Sequence, residues 1–323
     1  MNKTSFNVFS IIENELSLVD QAMRQEYKDS HPDIEAALNH LLDAGGKRLR
    51  PALLILFGRI FSAPHDRCIT MGAAIELLHN ATLVHDDFID GSLLRRGIPT
   101  LNSHWSAGAT VLTGDYIFAK AAHLASNAGT IEHMQLFSKA LMTIVVGEVS
   151  QLFSINGQSL ESVYYDRIYA KTAALFTLAC EIGATLGNAS AEIVEASRAY
   201  GTAVGSAFQI IDDMLDFSSA ADKLGKPVGG DLLRGIITLP AIYYFKDYPD
   251  KPGVDQIIGK KDVSDQTVVE LIESIRSSNA IERTHARARD FIQEGIQALS
   301  ILPPSLEKDA LVDLAYFVAD RSV

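Results

Sequence analysis

Apolar residues recur along this chain with the period of an α-helix, and almost nowhere with the period of a strand. In HPDIEAALNHLLDAGG, Ile34, Ala37, Leu38, Leu41 and Leu42 follow the i, i+3, i+4, i+7 rule. Pro32 suits a first helical turn, and Gly45–Gly46 suits a stop. Segments 70–90, 131–152, 166–187 and 192–217 are longer and apolar around much of their circumference, as helices in the middle of a bundle are. The pattern predicts an all-α chain arranged as a single large helical bundle.

At 323 residues, 47% of them hydrophobic, the chain can bury a large core. The net charge of −12 argues against a nucleic-acid or anionic-membrane partner. No apolar run approaches the roughly 20 residues that span a bilayer, so no stable membrane insertion is expected. The N-terminal MNKTSFNVFSIIENEL does not read as a signal peptide. Cys68 and Cys180 are the only cysteines and lack metal-type spacing, which fits a reducing cytoplasm.

No linker or shift in composition divides the chain, which reads as one domain over 1–323. The weakest-ordered stretches are expected at 218–235 and 247–265, both rich in Gly, Pro, Asp and Lys. The first follows an acidic cluster and reads as a lid.

That cluster, IDDMLDF at 211–217, echoes VHDDFID at 84–90. On a helix, Asp86 pairs with Asp90 and Asp212 with Asp216 as i, i+4 pincers, while Asp87 and Asp213 stand roughly 100° around the axis. Gly91 and Ser218–Ser219 place both clusters at helix C-termini, where the macrodipole disfavours further negative charge. A divalent cation relieves both that field and the mutual repulsion. Carboxylate ligands completed by water and phosphate describe Mg²⁺. One cluster alone could be a solvated helix end, but two of identical spacing behind apolar helices point to a pair of helix ends facing a cavity.

An anion should accompany the metal, and basic residues stand near. GGKRLRP carries Lys47, Arg48 and Arg50; GSLLRRGIP carries Arg95 and Arg96; YAKTAALF carries Lys171 and Thr172; LGKPVGG carries Lys226. Any one of them alone would read as a surface charge. Together, two basic sets suit two diphosphates, because Arg forks bind phosphate oxygens in pairs.

Taken in order, GGKRLRP, ELLHNATLVHDDFIDGSLLRRGIPT, GDYIFAKA, GEVSQL, YAKTAALF, GSAFQIIDDMLDF and LGKPVGGDLLRGIITLP resemble the trans-isoprenyl diphosphate synthase (polyprenyl synthetase) family over most of the chain. The resemblance implies a helical bundle around a deep apolar cavity, assembled as a homodimer. It implies that Asp86, Asp90 and Asp212, supported by Asp87 and Asp216, hold Mg²⁺ on an allylic diphosphate, with about three ions per active site. Asp213 completes the second aspartate set. Arg95, Lys171, Thr172, Gln209 and Lys226 would bind that diphosphate, and Lys47, Arg50, His79 and Arg96 would hold isopentenyl diphosphate. One departure stands in RGIITLP, where Ile236 replaces a Lys that the family often has.

The implied activity is ionisation of the allylic diphosphate, attack by the isopentenyl double bond and proton loss to the released diphosphate, inside a water-excluding cavity. Phe208 offers an aromatic face to the carbocation. Product length should follow from the helix preceding Asp86. Ala81 and Thr82, one turn back, are small, with Leu78, Leu77 and Ala74 deeper. The expected product has about six to nine isoprene units, with geranylgeranyl diphosphate the shorter alternative. Plain helix packing at Ala81 and Thr82 is the competing explanation.

Rival readings use other parts of the sequence. A di-iron bundle would use Glu76/His79 and Glu282/His285 as Glu-x-x-His pairs. A His-Asp phosphohydrolase would use His85–Asp86 but leave the second cluster idle. A class I terpene cyclase shares the first cluster only, and a non-catalytic partner subunit would be expected to have lost aspartates that this chain keeps.

Overall fold

The computed structural model describes residues 9–25, 31–95, 97–152, 160–218, 228–259 and 263–320. The expectation of an all-α fold holds. We number the helices α1 (Glu13–Gln25), α2 (Pro32–Asp43), α3 (Leu49–Ile60), α4 (His65–Ile89), α5 (Ala107–Ala128), α6 (Ile131–Leu152), α7 (Leu160–Ile168), α8 (Ala174–Leu186), α9 (Ala191–Leu215), α10 (Gly230–Leu233), α11 (Leu239–Asp247), α12 (Val254–Ile258), α13 (Asp265–Arg276), α14 (Ala280–Ala298) and α15 (Leu306–Ala319). A π-helical segment, Tyr169–Ala173, joins α7 to α8. Among the described residues the only strands are β1 (Leu94–Arg95) and β2 (Ile98–Pro99), an antiparallel pair closed around Gly97 at φ +78°.

The helix ends follow local chemistry. Pro32 opens α2 behind a cap from His31, whose Nδ1 accepts from Asp33 N–H. Helix α4 ends at Ile89 with Asp90 as C-cap, and Gly91 takes the left-handed conformation that stops it.

The residues cluster into two compact units. The first comprises Met1–Leu141, Leu175–Gly201 and Leu299–Asp313, and the second Met142–Ala174, Thr202–Ala298 and Leu314–Val323. In the first, α4 packs against α1, α3 and α5. Residues on every side of α4 are buried, including Met71, Ala74, Ile75, Leu77, Leu78, Ala81 and Val84, as its all-round apolar sequence demands. In the second, Tyr164, Ile168, Ile210, Ile211, Met214, Leu239 and Ile242 form one apolar cluster. Phe217, Leu232, Phe245, Leu271 and Ile275 belong to another.

Candidate active site

In the first unit the last turn of α4 presents Asp86 half-buried and Asp90 exposed. Asp87 turns the other way and is buried. Its two carboxylate oxygens accept from Arg95 Nε and Nη2, each at 2.8 Å. Burial alone would lower the Arg95 pKa. The hydrogen bonds to Asp87, with the charges of Asp86 and Asp90, more than offset that and leave it raised. Arg95 is thereby tied to the middle aspartate, and β1 with it.

Two motifs explain each other here. An added Cβ at Gly114 of α5 would fall inside the imidazole of His85. His85 Nε2 lies 3.2 Å from Val111 O and 3.6 Å from Asp115 Oδ1. This histidine serves helix packing beside Asp86, which removes the His-Asp dipeptide from service as a metal pair.

The set expected to hold isopentenyl diphosphate begins just before α3. Lys47 is exposed, and Arg50 is buried with its guanidinium 4.8 Å over the Phe176 ring. His79 lies half-buried on α4. Between Lys47 and Arg50, Arg48 reaches Glu76 Oε1 at 3.1 Å and Asp20 Oδ1 at 2.7 Å. Glu76 is thus committed to an arginine, and Glu282 is exposed, so neither Glu-x-x-His pair resembles an inward iron ligand. Arg96 lies outside the described residues.

In the second unit Asp212 and Asp216 are half-buried at the end of α9, and again the middle residue, Asp213, is buried. Tyr164 donates its hydroxyl to Asp213 Oδ2 at 2.8 Å, and Gln209 donates Nε2–H to Oδ1 at 2.7 Å. Thr172 in turn donates to Gln209 Oε1 at 2.5 Å. Burial first, then the charge of Asp231, pushes the Asp213 carboxyl up to about 7 against the opposing hydrogen bonds. The same two causes push Asp216 up to about 6, although Asp231 N–H donates to its Oδ2 at 3.0 Å.

Lys171 and Thr172 sit in the π segment, a local widening found often at functional sites. Lys171 Nζ is 3.0 Å from Glu148 Oε1. Gly147 beside it lets α6 approach, since an added Cβ would overlap Ala170. Phe208 and Ile236 are half-buried. Arg234, two residues before Ile236, pairs with Asp231 at 2.6 Å. Lys226 lies outside the described residues, as does half of the expected lid, 219–227.

The outward carboxylates fit a hard divalent cation. Each cluster buries its middle aspartate and leaves the other two half-buried or exposed. Among the described residues no three His, Cys, Asp or Glu side chains form a ready-made cage. Mg²⁺ commonly takes one or two carboxylates and keeps water and phosphate for the rest.

The profile of the polyprenyl synthetase family matches residues 31–275. The chain belongs to that family. This synthetase is 34% identical over 316 residues to the heptaprenyl diphosphate synthase component 2 of Geobacillus stearothermophilus, covering 97% of this chain and 98% of the relative. It is 33% identical to the octaprenyl diphosphate synthase of Escherichia coli strain K12, covering 87% and 88% of the two chains. Among solved structures it resembles the polyprenyl synthase from Caulobacter crescentus CB15 complexed with calcium and isoprenyl diphosphate, with TM-score 0.90, 33% identity and 99% of both chains covered. The synthetase is a prenyltransferase.

Sequence reasoning missed Glu148, Tyr164 and Asp231, the partners of Lys171, Asp213 and Asp216. GEVSQL stands out as a motif, but nothing in it names Lys171 as the partner of its glutamate. Helical geometry sets Asp87 and Asp213 off the pincer face without saying what receives them.

Proposed function

We propose that this chain is an all-trans polyprenyl diphosphate synthase of medium to long product length, extending an allylic diphosphate with isopentenyl diphosphate. The observation that carries the reading is the repeated arrangement of two outward carboxylates around a withdrawn middle one. Asp86 with Asp90, and Asp212 with Asp216, are assigned to Mg²⁺ bound to the allylic diphosphate. When bound, Mg²⁺ supplies Lewis-acid stabilisation of the departing diphosphate.

Lys171, Lys226, Arg95 and the Thr172–Gln209 pair are assigned to the allylic diphosphate. Lys47, Arg50, Arg96 and His79 are assigned to isopentenyl diphosphate. Arg95 reaches substrate only by sharing its charge with Asp87, because its fork is already engaged there. The apolar walls exclude water from the allylic cation, and the leaving diphosphate takes the proton. Ala81 and Leu78, fully buried on one face of α4, set product length together with Thr82, whose hydroxyl folds back onto His79 O at 2.8 Å. The shorter alternative is a geranylgeranyl diphosphate synthase.

For assembly we assign a homodimer. Met142, Val145, Val146 and Val149 form an exposed stripe at i, i+3, i+4, i+7 on α6, between 46% and 63% exposed. A relative named as component 2 favours a second reading, in which full length requires a different subunit. No helix among the described residues is long and apolar enough to cross a membrane, and the two free thiols, Cys68 and Cys180, are buried, which supports the cytoplasmic assignment.

The test is incubation of the purified chain with Mg²⁺, labelled isopentenyl diphosphate and geranyl, farnesyl or geranylgeranyl diphosphate, followed by chain-length analysis of the alcohols. Incorporation by the chain alone supports a homomeric synthase. No incorporation with any primer overturns the reading.

A further inference from the structure

Arg48 occupies a position that its own side chain makes costly. It precedes α3 with φ +47° and ψ +39°, the left-handed region that a β-carbon disfavours. The chain places glycines at 45 and 46 yet keeps an arginine here. The side chain must therefore contribute something that glycine could not.

Its guanidinium, 13% exposed, bridges two helices. Nη1 donates to Glu76 Oε1 of α4 at 3.1 Å, and Nη2 donates to Asp20 Oδ1 of α1 at 2.7 Å. The Glu76 side chain is 6% exposed, and its other oxygen, Oε2, is buried without a hydrogen-bond partner. A carboxylate kept there at that cost has one visible task, which is to hold Arg48. Asp20 Oδ2 also accepts from Arg24, which reaches Asp43 at 2.8 Å and Asn39 at 3.3 Å on α2. The turn between α2 and α3 is thus clamped from both sides. Lys47 and Arg50 flank Arg48, and His79 lies three residues after Glu76.

We infer that Arg48, held by Glu76 and Asp20, is a positioning residue for isopentenyl diphosphate: it fixes the turn that presents Lys47 and Arg50 relative to the turn of α4 that carries His79. The inference rests on the assignment of those three residues to isopentenyl diphosphate. The Arg48 guanidinium is spent on the Glu76 and Asp20 carboxylates and is assigned no substrate contact. A planar fork suits this task, because one ammonium cannot make two divergent bonds with the same geometry.

The experiment compares wild type with Arg48→Gly, Arg48→Lys, Glu76→Gln and, as a reference for the site, Lys47→Ala. Steady-state kinetics are read for each substrate separately, calorimetry measures binding of isopentenyl diphosphate, and Tm reports folding. Arg48→Gly permits the left-handed backbone while removing the brace, and Glu76→Gln keeps the volume while removing the charge. Both should raise KM and Kd for isopentenyl diphosphate about tenfold, while kcat and the allylic KM stay within about twofold. Arg48→Lys should fall between them and wild type.

Unchanged isopentenyl KM in Arg48→Gly and Glu76→Gln, with Lys47→Ala impaired, overturns the inference and leaves the site standing. A fall in all parameters that tracks the folded fraction also overturns it, since a merely structural brace would do that. If wild type incorporates nothing, or Lys47→Ala behaves like wild type, the assignment of the site fails and takes the inference with it.

Discussion

Arg95 and Asp87 meet through two parallel hydrogen bonds of 2.8 Å each, Nε to Oδ2 and Nη2 to Oδ1. This pair separates the first aspartate cluster by role: Asp87 anchors the hairpin that follows, and the proposed cation site falls to Asp86 and Asp90. Asp87→Asn should therefore behave unlike Asp86→Asn. The Asp87 change breaks a charge-assisted bidentate pair worth about 1–3 kcal/mol, placed low in that range because Arg95 is 37% exposed. Tm should drop by a few degrees with a modest loss of turnover. Asp86→Asn should keep Tm and lose about 100-fold or more in kcat, as removal of a transition-state contact does. Thermal unfolding and kcat of the two variants, measured side by side, check the division.

The second cluster repeats the arrangement with a neutral partner. Tyr164→Phe removes the donor to Asp213 Oδ2 and leaves a buried oxygen underserved, at a cost of about 1–3 kcal/mol. Gln209 then loses a neighbour that helps fix Asp213, and Thr172 is coupled to it through Gln209. The expected result is a lower Tm and a raised allylic KM with an unchanged isopentenyl KM. Equal changes in both KM values would remove the link between this network and the allylic diphosphate.

Much of this was legible beforehand, and the boundary is physical. Helix positions, the stops at Gly45 and Gly91 and the burial of α4 follow from local periodicity and backbone preference, which the sequence carries within one or two turns. Helical geometry also sets the middle aspartates off the pincer face. Their partners are another matter: Tyr164 lies 49 residues from Asp213, and Arg48 lies 28 from Glu76. Such pairings depend on tertiary packing, and no periodicity encodes them. The π segment at Lys171 is indistinguishable from continuous helix in the sequence, because a single widened turn leaves the apolar pattern intact. The tiny β1–β2 hairpin escaped notice because two residues a side are too few to show alternation.

His85 and Gly114 provide a test of packing next to the first aspartate pincer. Gly114→Ala should displace the imidazole and cost about 1–3 kcal/mol, as overpacking in a filled site does. Truncating the imidazole removes the clash, so Gly114→Ala combined with His85→Ala should be more stable than the sum of the single changes indicates. Additive Tm losses across this cycle would show that the two residues do not share the space.

Asp213 and Asp216 give the metal-free protein a pH dependence. Both native pKa values are raised, to about 7 and about 6. Between an unfolded carboxylate pKa of about 4 and these values, the folded state binds more protons than the unfolded one, so the contribution to stability falls as pH rises. It is fully present below about pH 4 and lost by about pH 7. Asp213→Asn cannot ionise, so its Tm relative to wild type should rise from pH 5 to about pH 7 in chelator and level off by pH 8. A Tm difference that stays flat across this range would mean that Asp213 is not protonated in the folded state.

Ala81 tests whether α4 measures the product. It is fully buried with Leu78 one turn deeper, so a side chain added at 81 must project into whatever space the growing tail uses, or into the packing of α4. The two possibilities separate cleanly. If the tail runs along this face, Ala81→Phe raises a floor near the first turn, and the products shift towards farnesyl or geranylgeranyl length while turnover persists. If Ala81 only packs helices, the phenyl ring overfills a close contact at a cost of about 1–3 kcal/mol, lowering Tm with product length unchanged. Leu78→Ala provides the opposite displacement: by enlarging the same face one turn deeper, it should lengthen the product by about one isoprene unit or leave it unchanged, but never shorten it. Chain-length analysis of the dephosphorylated alcohols from both variants, with Tm measured on the same preparations, decides which role the α4 wall has.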